Sequence, residues 1–418
     1  MNHLNIVKMA WRNLLKNKRR TTITLLGIAF GIMLSILFTG LQDATWRETI
    51  NMSARMGTGH ITVQNRKYLD EPAVSNLVKK APVIAKQILQ HSHVTAVRER
   101  IMSHAMVATA AQSMGALVYG IDRAKENRQT FALLSGKLQG KFPGPTDVNG
   151  VVVGSKLAER LEITIGKKLV LTMTDKNGDI VSSLGRVRGI LTTGSDSLDS
   201  TICITDINAL RNILGVSSTQ VTQLAVFIDD HRLSRPLAAA LSRKGLAPES
   251  VDILPWQKIN PDLDGLVATK MASAKVFELL ILFLVAAGIF NTLYVSVMER
   301  MREFGILNAI GFSGGRLFSL VIWESLFTAA LGLCMAALVT AIPYYYMYSH
   351  GINLAEMAGD GKEMTINGVG MATTIYVDIY VEKALAIAGV AVLGTLLSGL
   401  YPAYRAARVV PVESIKLV

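Results

Sequence analysis

The run of residues best able to act on another molecule is Met298-Glu299-Arg300-Met301-Arg302-Glu303-Phe304-Gly305-Ile306-Leu307-Asn308-Ala309-Ile310-Gly311-Phe312. Glu299, Arg300, Arg302 and Glu303 form a charged turn, and a short helical stretch follows. Gly311, Gly314 and Gly315 then let the chain turn onward. The segment is too short for a domain. Phe304, Ile306, Leu307 and Ile310 are too apolar to face water alone, so they need a covering surface. An ordinary loop with interfacial anchors would use the same residue types. The chemistry on offer is recognition, not reaction. No G-x-x-x-x-G-K-[ST] phosphate loop occurs, and no H-E-x-x-H, C-x-x-C or G-x-S-x-G. The seven histidines are scattered. His91, His93 and His104 lack an acidic or cysteine partner at ligand spacing, so solvated surface is expected and no metal site. Asp196 and Asp199 read as loop residues whose side chains cap local backbone groups. No catalytic residue and no cofactor is assigned to the chain itself.

The elements that must position this segment are long apolar stretches near Thr21–Leu41, Ala272–Val297, Leu317–Ile342 and Ala384–Ala403. Each is about as long as the ~20 residues a helix needs to cross a ~30 Å hydrocarbon layer. A cleaved signal peptide fits the first stretch poorly, because the run is long and no small-x-small site follows it. The expected class is therefore an α-helical membrane protein with four transmembrane helices and a large extracytoplasmic α/β domain inserted between helices 1 and 2. The expected boundaries are 1–20 amphipathic helix, 21–42 first span, 43–270 outer domain, 271–298 second span and 299–316 inner segment. Then come 317–343 third span, 344–380 outer loop, 381–404 fourth span and 405–418 tail. Lys8, Arg12, Lys16, Lys18, Arg19 and Arg20 precede the first span without an acidic residue. Arg300, Arg302 and Arg316 flank the second and third, and Arg405, Arg408 and Lys416 follow the fourth. Short basic flanks stay in the cytoplasm, so both termini and the 299–316 segment are expected there. The net charge of +12 then has a topological origin and does not imply nucleic acid. Leu4, Val7, Trp11 and Leu14 recur at helical spacing before the first span, as in a helix lying on membrane lipid at the inner leaflet, with a bend near Arg19–Thr21. Gly27, Gly31 and Ser35 form a small-residue packing face in the first span. Glu324, at the inner end of the third, is an intramembrane acid that either has a partner or snorkels to the interface.

Between the first two spans the sequence alternates strand and helix. Strands are expected at 60–64, 105–108, 116–121, 151–153, 168–173, 187–191, 201–204 and 224–228. Helices are expected at 74–90, 123–134, 155–161, 207–214 and 234–244. Asp175-Lys176-Asn177-Gly178-Asp179 signals a hairpin turn. The two cysteines, Cys203 and Cys334, fall in the outer domain and the third span, so they cannot pair with each other and the domain needs an ordinary core.

The inner segment resembles the E-R-x-x-E-x-G-I-L-x-A-I-G signature of the FtsX/MacB superfamily of ABC transporter permeases. Trp323-Glu324-Ser325-Leu326 is similar to that family's E-S-L. Tyr401-Pro402-Ala403-Tyr404-Arg405-Ala406-Ala407-Arg408 through Pro411-Val412-Glu413 is similar to its Y-P-A-x-R-A-A-R-x-x-P-V-E. Val151-Val152-Val153-Gly154-Ser155-Lys156-Leu157-Ala158 through Gly166 resembles a segment of its outer domain. The resemblance covers essentially the whole chain. It implies a bacterial inner-membrane permease with a MacB-like periplasmic core domain, working as a dimer with a second copy or a paralogue. A separate cytoplasmic ABC ATPase would bind the ATP and magnesium. Glu299, Arg300, Arg302, Glu303, Phe304, Ile306, Leu307, Ile310 and Gly311 would then couple to that ATPase, whose cycle moves the outer domain mechanically. Size and the absence of a fused ATPase are most similar to the lipoprotein-releasing branch, whose cargo is lipoprotein passed to a periplasmic carrier. Asp175–Gly185, however, looks like a plain hairpin where the carrier-recruiting members have an extended hook. Two other functions fit the resemblance: export of a peptide, toxin or other amphiphile through an adaptor and outer-membrane duct, and regulation of a cell-wall hydrolase.

Overall fold

The computed structural model describes residues 3–16, 18–144, 146–246, 248–353, 365–366, 369–370 and 374–409. Val410 to Glu413 of the tail motif, and Lys416, lie outside them. The chain begins with α1 (His3–Lys16) and α2 (Lys18–Ser53). Arg19–Thr21, where a bend is expected, fall within α2. Among the described residues four helices are long and apolar enough to cross a membrane. The chain divides into two compact units, one of residues 1–45, 268–354 and 374–418, the other of 46–267 and 355–373. The break falls inside α2 and again inside a later helix, so the helices run past the edges at 42 and 271 that hydropathy suggests.

The second unit is built on a mixed sheet of ten strands: β1 (Ile61–Asn65), β2 (Val94–Ala108), β3 (Ser113–Ile121), β4 (Lys137–Gly140), β5 (Gly150–Gly154), β6 (Lys168–Thr174), β7 (Ile180–Thr192), β8 (Ile202–Asp206), β9 (Gln223–Ile228) and β10 (Val251–Pro255). The order is β10-β1-β9-β2-β3-β8-β5-β7-β4, with β6 paired to β2 and β7. β3–β8 and β5–β7 are parallel. β5, β8 and β9 are buried at every position, and they read as short continuous apolar runs. β6 alternates exposed and buried, the pattern of a strand with one wet face. Around the sheet lie α3 (Ala81–Leu89), α4 (Ser155–Arg160), α5 (Asp196–Asp199), α6 (Ile207–Leu214), α7 (Ser234–Arg243) and α8 (Trp256–Ile259). The β6–β7 turn is the hairpin expected: Asp175 Oδ1 accepts from the backbone N–H of Asn177 and Asp179, and Gly178 takes a φ of 94°.

Three expectations fail here. Residues 123–134 form no α-helix. The side chains of Asp122, Asn127 and Thr130 bond neighbouring backbone groups, and that local alternative displaces a helical ladder. The helix expected from residue 74 starts only at Ala81, because Val78 bridges to Val221 and Lys80 adopts a left-handed φ of 56°. β2 is far longer than 105–108. Arg98, Glu99 and Arg100 hid its first half, yet Arg100 is fully buried, bonded to Glu126 Oε1 at 2.9 Å and the Thr130 carbonyl at 2.6 Å.

The first unit adds α9 (Pro261–Glu299), α10 (Met301–Ala309), α11 (Gly314–Ser349) and α12 (Val381–Ala407). Midway along them Ile28, Ala29, Ile32, Ile289, Leu293, Ala336, Ile387 and Ala391 make one core. Gly31 lies against Val285, whose Cγ2 stands 2.1 Å from where a Cβ would be, and Ser35 is buried. Gly27 departs from the packing face assigned to it. Nothing lies within 4 Å of its would-be Cβ, and it borders an apolar groove of about 440 Å³ between α2 and α9. It lies one turn before Gly31 on the same face, and Val285 reaches only the later glycine.

Candidate functional site

The expected coupling residues lie on and beside α10. Arg300 caps its start, and Gly311, at φ 98°, turns the chain out of it. Leu307 and Asn308 carbonyls accept the N–H groups of Phe312 and Gly311, which closes the helix without a side-chain cap. α11 begins at Gly314, where a Cβ would stand 2.4 Å from the Ala407 carbonyl. The end of α12 therefore packs directly on the turn.

α10 has two faces. Phe304 is completely buried, in one apolar cluster with Ile6 and Ala10 of α1, Val297, Leu317, Leu320 and Val321, and Ala403 and Ala406 of α12. The other face carries Arg302, Glu303, Ile306 and Ala309, and Ile310 follows them. Ile306 is 49% and Ile310 72% exposed, whereas Leu307 is only partly so. This corrects the sequence-based assignment at Phe304. Its ring is covered by this chain's own helices and offers nothing to a partner. Periodicity within nine residues could not say which apolar face turned inward, because the covering residues come from both ends of the chain.

The charged residues divide in the same way. Arg300 Nη1 bonds Glu324 Oε1 at 2.9 Å and Oε2 at 3.1 Å, Nε bonds Glu303 Oε2 at 3.0 Å, and the guanidinium lies 5.0 Å from the Phe304 ring centre. Burial acts to lower the Arg300 pKa, but the Glu324 and Glu303 carboxylates outweigh it and raise it. Burial likewise acts to raise Glu303, and Arg300 and Lys16 together pull it below the usual carboxylate value. Glu324 is only 6% exposed. It takes a second donor, Asn13 Nδ2, at 2.6 Å. Glu324 is thus partnered inside the protein and does not snorkel. Glu299 is held by Arg20 at 2.6 Å, and Arg20 also reaches Ser296 Oγ.

Two features escaped the sequence. In α1 the inward stripe is Ile6, Ala10 and Asn13, not Val7, Trp11 and Leu14; Trp11 stays 40% exposed and meets Phe327 edge-on at 5.3 Å. α1 is therefore a packed part of the site, and its membrane-suited stripe is the adjoining one. At the other end of the bundle Asp43 of α2 pairs with Lys383 of α12, and Glu278 of α9, a second acid within an apolar stretch, lies in their field. Its neighbours in sequence gave no pairing signal. The remaining candidates disperse. His93 bonds Asp229 at 3.1 Å, and His104 is exposed on β2. Asp199 is buried and accepts from Thr193 N–H, Thr193 Oγ1 and Ser155 Oγ, a backbone-capping role. Among the described residues no group of three His, Cys, Asp or Glu could hold a metal ion. Both cysteines are free, and burial pushes the Cys203 thiol up to about 12.

Two family models match the chain. The MacB-like periplasmic core domain model matches residues 21–244 and the FtsX-like permease C-terminal model residues 275–411. The lipoprotein-releasing system transmembrane protein LolE of Haemophilus influenzae is 21% identical over 405 residues, covering 93% of this chain and 92% of its own. LolC of Neisseria meningitidis serogroup B is 21% identical over 416 residues, covering 95% and 94%. The macrolide export ATP-binding/permease protein MacB of Escherichia coli K12 is 26% identical over 371 residues, covering 79% of this chain and 52% of its own. Among solved structures, the periplasmic region of MacB from Actinobacillus actinomycetemcomitans is similar over 51% of this chain at 20% identity, with a TM-score of 0.34.

Proposed function

The chain belongs to the MacB-like periplasmic core domain family and carries the FtsX-like permease segment, which makes it an ABC transporter permease, and from that premise we propose that it is the permease subunit of a lipoprotein-releasing transporter. A separate ATPase docks on Arg302, Ile306, Ala309 and Ile310. Both termini and α10 lie in the cytoplasm, a placement the Lys/Arg flanks support. A second permease copy or a paralogue completes the complex, and the outer α/β unit moves when ATP is bound and hydrolysed.

The observation that carries docking is the two-faced α10. Large apolar side chains left exposed beside charge, on a short helix whose other face is locked into its own protein, need a partner surface. Lipoprotein as cargo is supported by alignment along nearly the full length of LolE and LolC, against about half of MacB. The tight β6–β7 turn favours a second reading, export of another amphiphile through a different periplasmic partner, because the hairpin offers no extension for a carrier to grip.

The test is co-purification of the cognate ATPase, then release of a lipid-anchored reporter from proteoliposomes. Ile306→Asp with Ile310→Asp should abolish co-purification at equal membrane expression, since burying two unpaired carboxylates costs several kcal/mol. Retained ATPase would sink the docking proposal. ATP-dependent movement of an unacylated amphiphile, with the lipid-anchored reporter left behind, would replace the lipoprotein reading by the export one.

A further inference from the structure

We propose that Glu324 is a positioning residue that locks α10, α11 and α1 into one rigid body, so that any displacement of α10 reaches both of the other helices at once. The proposal rests on the coupling function above for what displaces α10, but not for the lock itself. Docking on the exposed face moves nothing unless α10 is joined to what lies behind it. The join through the chain is a glycine turn at Gly311, and backbone rotation there can absorb movement. The join through space is the buried carboxylate.

Its geometry suits that work. Glu324 and Arg300 have side chains only 8% and 13% exposed, and the pair meets at 2.9 Å. A buried carboxylate with its partner removed is strongly destabilised, so the pair resists separation in a way that a slippery apolar contact does not. Arg300 uses its fork twice, with Nη1 on Glu324 of α11 and Nε on Glu303 of α10. A lysine ammonium on the same stem would be a single point charge and could not span both carboxylates in fixed directions. The third member, Asn13, is 311 positions from Glu324. It falls three residues after Ala10 and seven after Ile6, on the stripe of α1 that is already buried against α10 and α11. Polar and apolar contacts of α1 therefore coincide on one face. Lys16 of α1 adds an outer tie to Glu303 at 3.5 Å, too exposed to hold anything alone. Apolar packing gives the three helices adhesion, and the Glu324 node gives them register.

The experiment places spin labels at Arg12→Cys, exposed on α1, and Asn308→Cys, half-buried on α10 and outside the docking face, in a Cys203→Ala, Cys334→Ser background. Distances are read by pulsed electron paramagnetic resonance on the full permease, alone and with its ATPase, nucleotide-free and trapped with ATP and vanadate. With Glu324 present, one narrow distribution should persist in every state. Glu324→Gln keeps the shape and removes the charge. It should broaden the distribution in the permease alone and shift it on trapping, with insertion and ATPase co-purification unchanged. ATP-driven reporter release should fall about tenfold, the scale of an ordinary coupling free energy. Arg300→Lys, which keeps the charge and loses the fork, should fall between the two. A Glu324→Gln distribution identical to that of the parent in all states overturns the lock. Failure of the parent to hold its ATPase would instead overturn the coupling function, and the permease-alone distances would still decide the lock.

Discussion

At the scale of single residues the structure turns on polar groups that had to be buried and so had to be answered. His60 is the clearest in the outer unit. It is 6% exposed; the Ile228 N–H donates to its Nδ1 at 3.2 Å, and its Nε2–H donates to Asn51 Oδ1 at 2.9 Å. That pair of bonds fixes the neutral tautomer. Burial first, then the fields of His231 and Arg55, lower its pKa from 6.5 to about 4. The fold therefore favours the neutral ring. The stabilisation is complete above the unfolded value of 6.5, drains away as pH falls towards 4, and does not change further below it. The window is worth about 3 kcal/mol. Thermal unfolding of residues 46–267 should lose more stability between pH 7 and 4 than the His60→Gln variant does; equal slopes would show that His60 is no part of the acid response. Legibility at this scale was partial. That Glu324 needed a partner was readable, because a charge in an apolar stretch is expensive. That Arg300 and Asn13 answer it was not, since nothing local links positions so far apart.

At the scale of elements, what the sequence showed was periodicity, and what it hid was direction. β5, β6, β8 and β9 could be read because branched and apolar residues dominate them. The first half of β2 could not, because Arg100 is a charged residue with a wholly interior role. The expected helix at 123–134 failed because Asp122, Asn127 and Thr130 hold the chain in local turns, and Glu126 is drawn inward to Arg100. α10 shows the same limit with larger consequences. Its extent was legible, and so was the presence of apolar residues needing cover. Its inward face depended on α1 and α12, which no window around residue 304 contains. The consequence is measurable. Phe304→Ala should cost about 3–5 kcal/mol of stability, the range for emptying a well-packed aromatic site. The loss should appear as a lowered thermal midpoint of the permease with no ATPase present. A docking residue would leave the free permease unchanged and affect only the complex, so an unaltered midpoint would return Phe304 to the docking face.

At the scale of the molecule, the uneven spacing of four apolar stretches already implied a bundle with one large insertion, and the two compact units follow that division. What hydropathy did not show is that the span helices continue across the division. α2 continues to Ser53, and the helix after the insertion starts at Pro261. Trp46 and Ile50 from the one helix, and Leu263 and Val267 from the other, form a small core with Trp256. These residues belong to the α/β unit, not to the bundle. Hydropathy kept these residues out of the spans but could not show that they pack together, because a tryptophan packed in a domain and a tryptophan at a membrane interface look the same in sequence. A stable fragment must therefore keep both helical stubs. Residues 43–270, expressed alone, should give a soluble protein with mixed α/β circular dichroism and one cooperative thermal transition, since its sheet core and its stub core are both complete within those limits. Trimming the fragment to 59–255 removes Trp46, Ile50, Trp256, Leu263 and Val267 together. It should lower the transition sharply or abolish it. If the trimmed fragment unfolds at the same temperature as the longer one, the stubs are mere connectors, and the unit ends with its sheet.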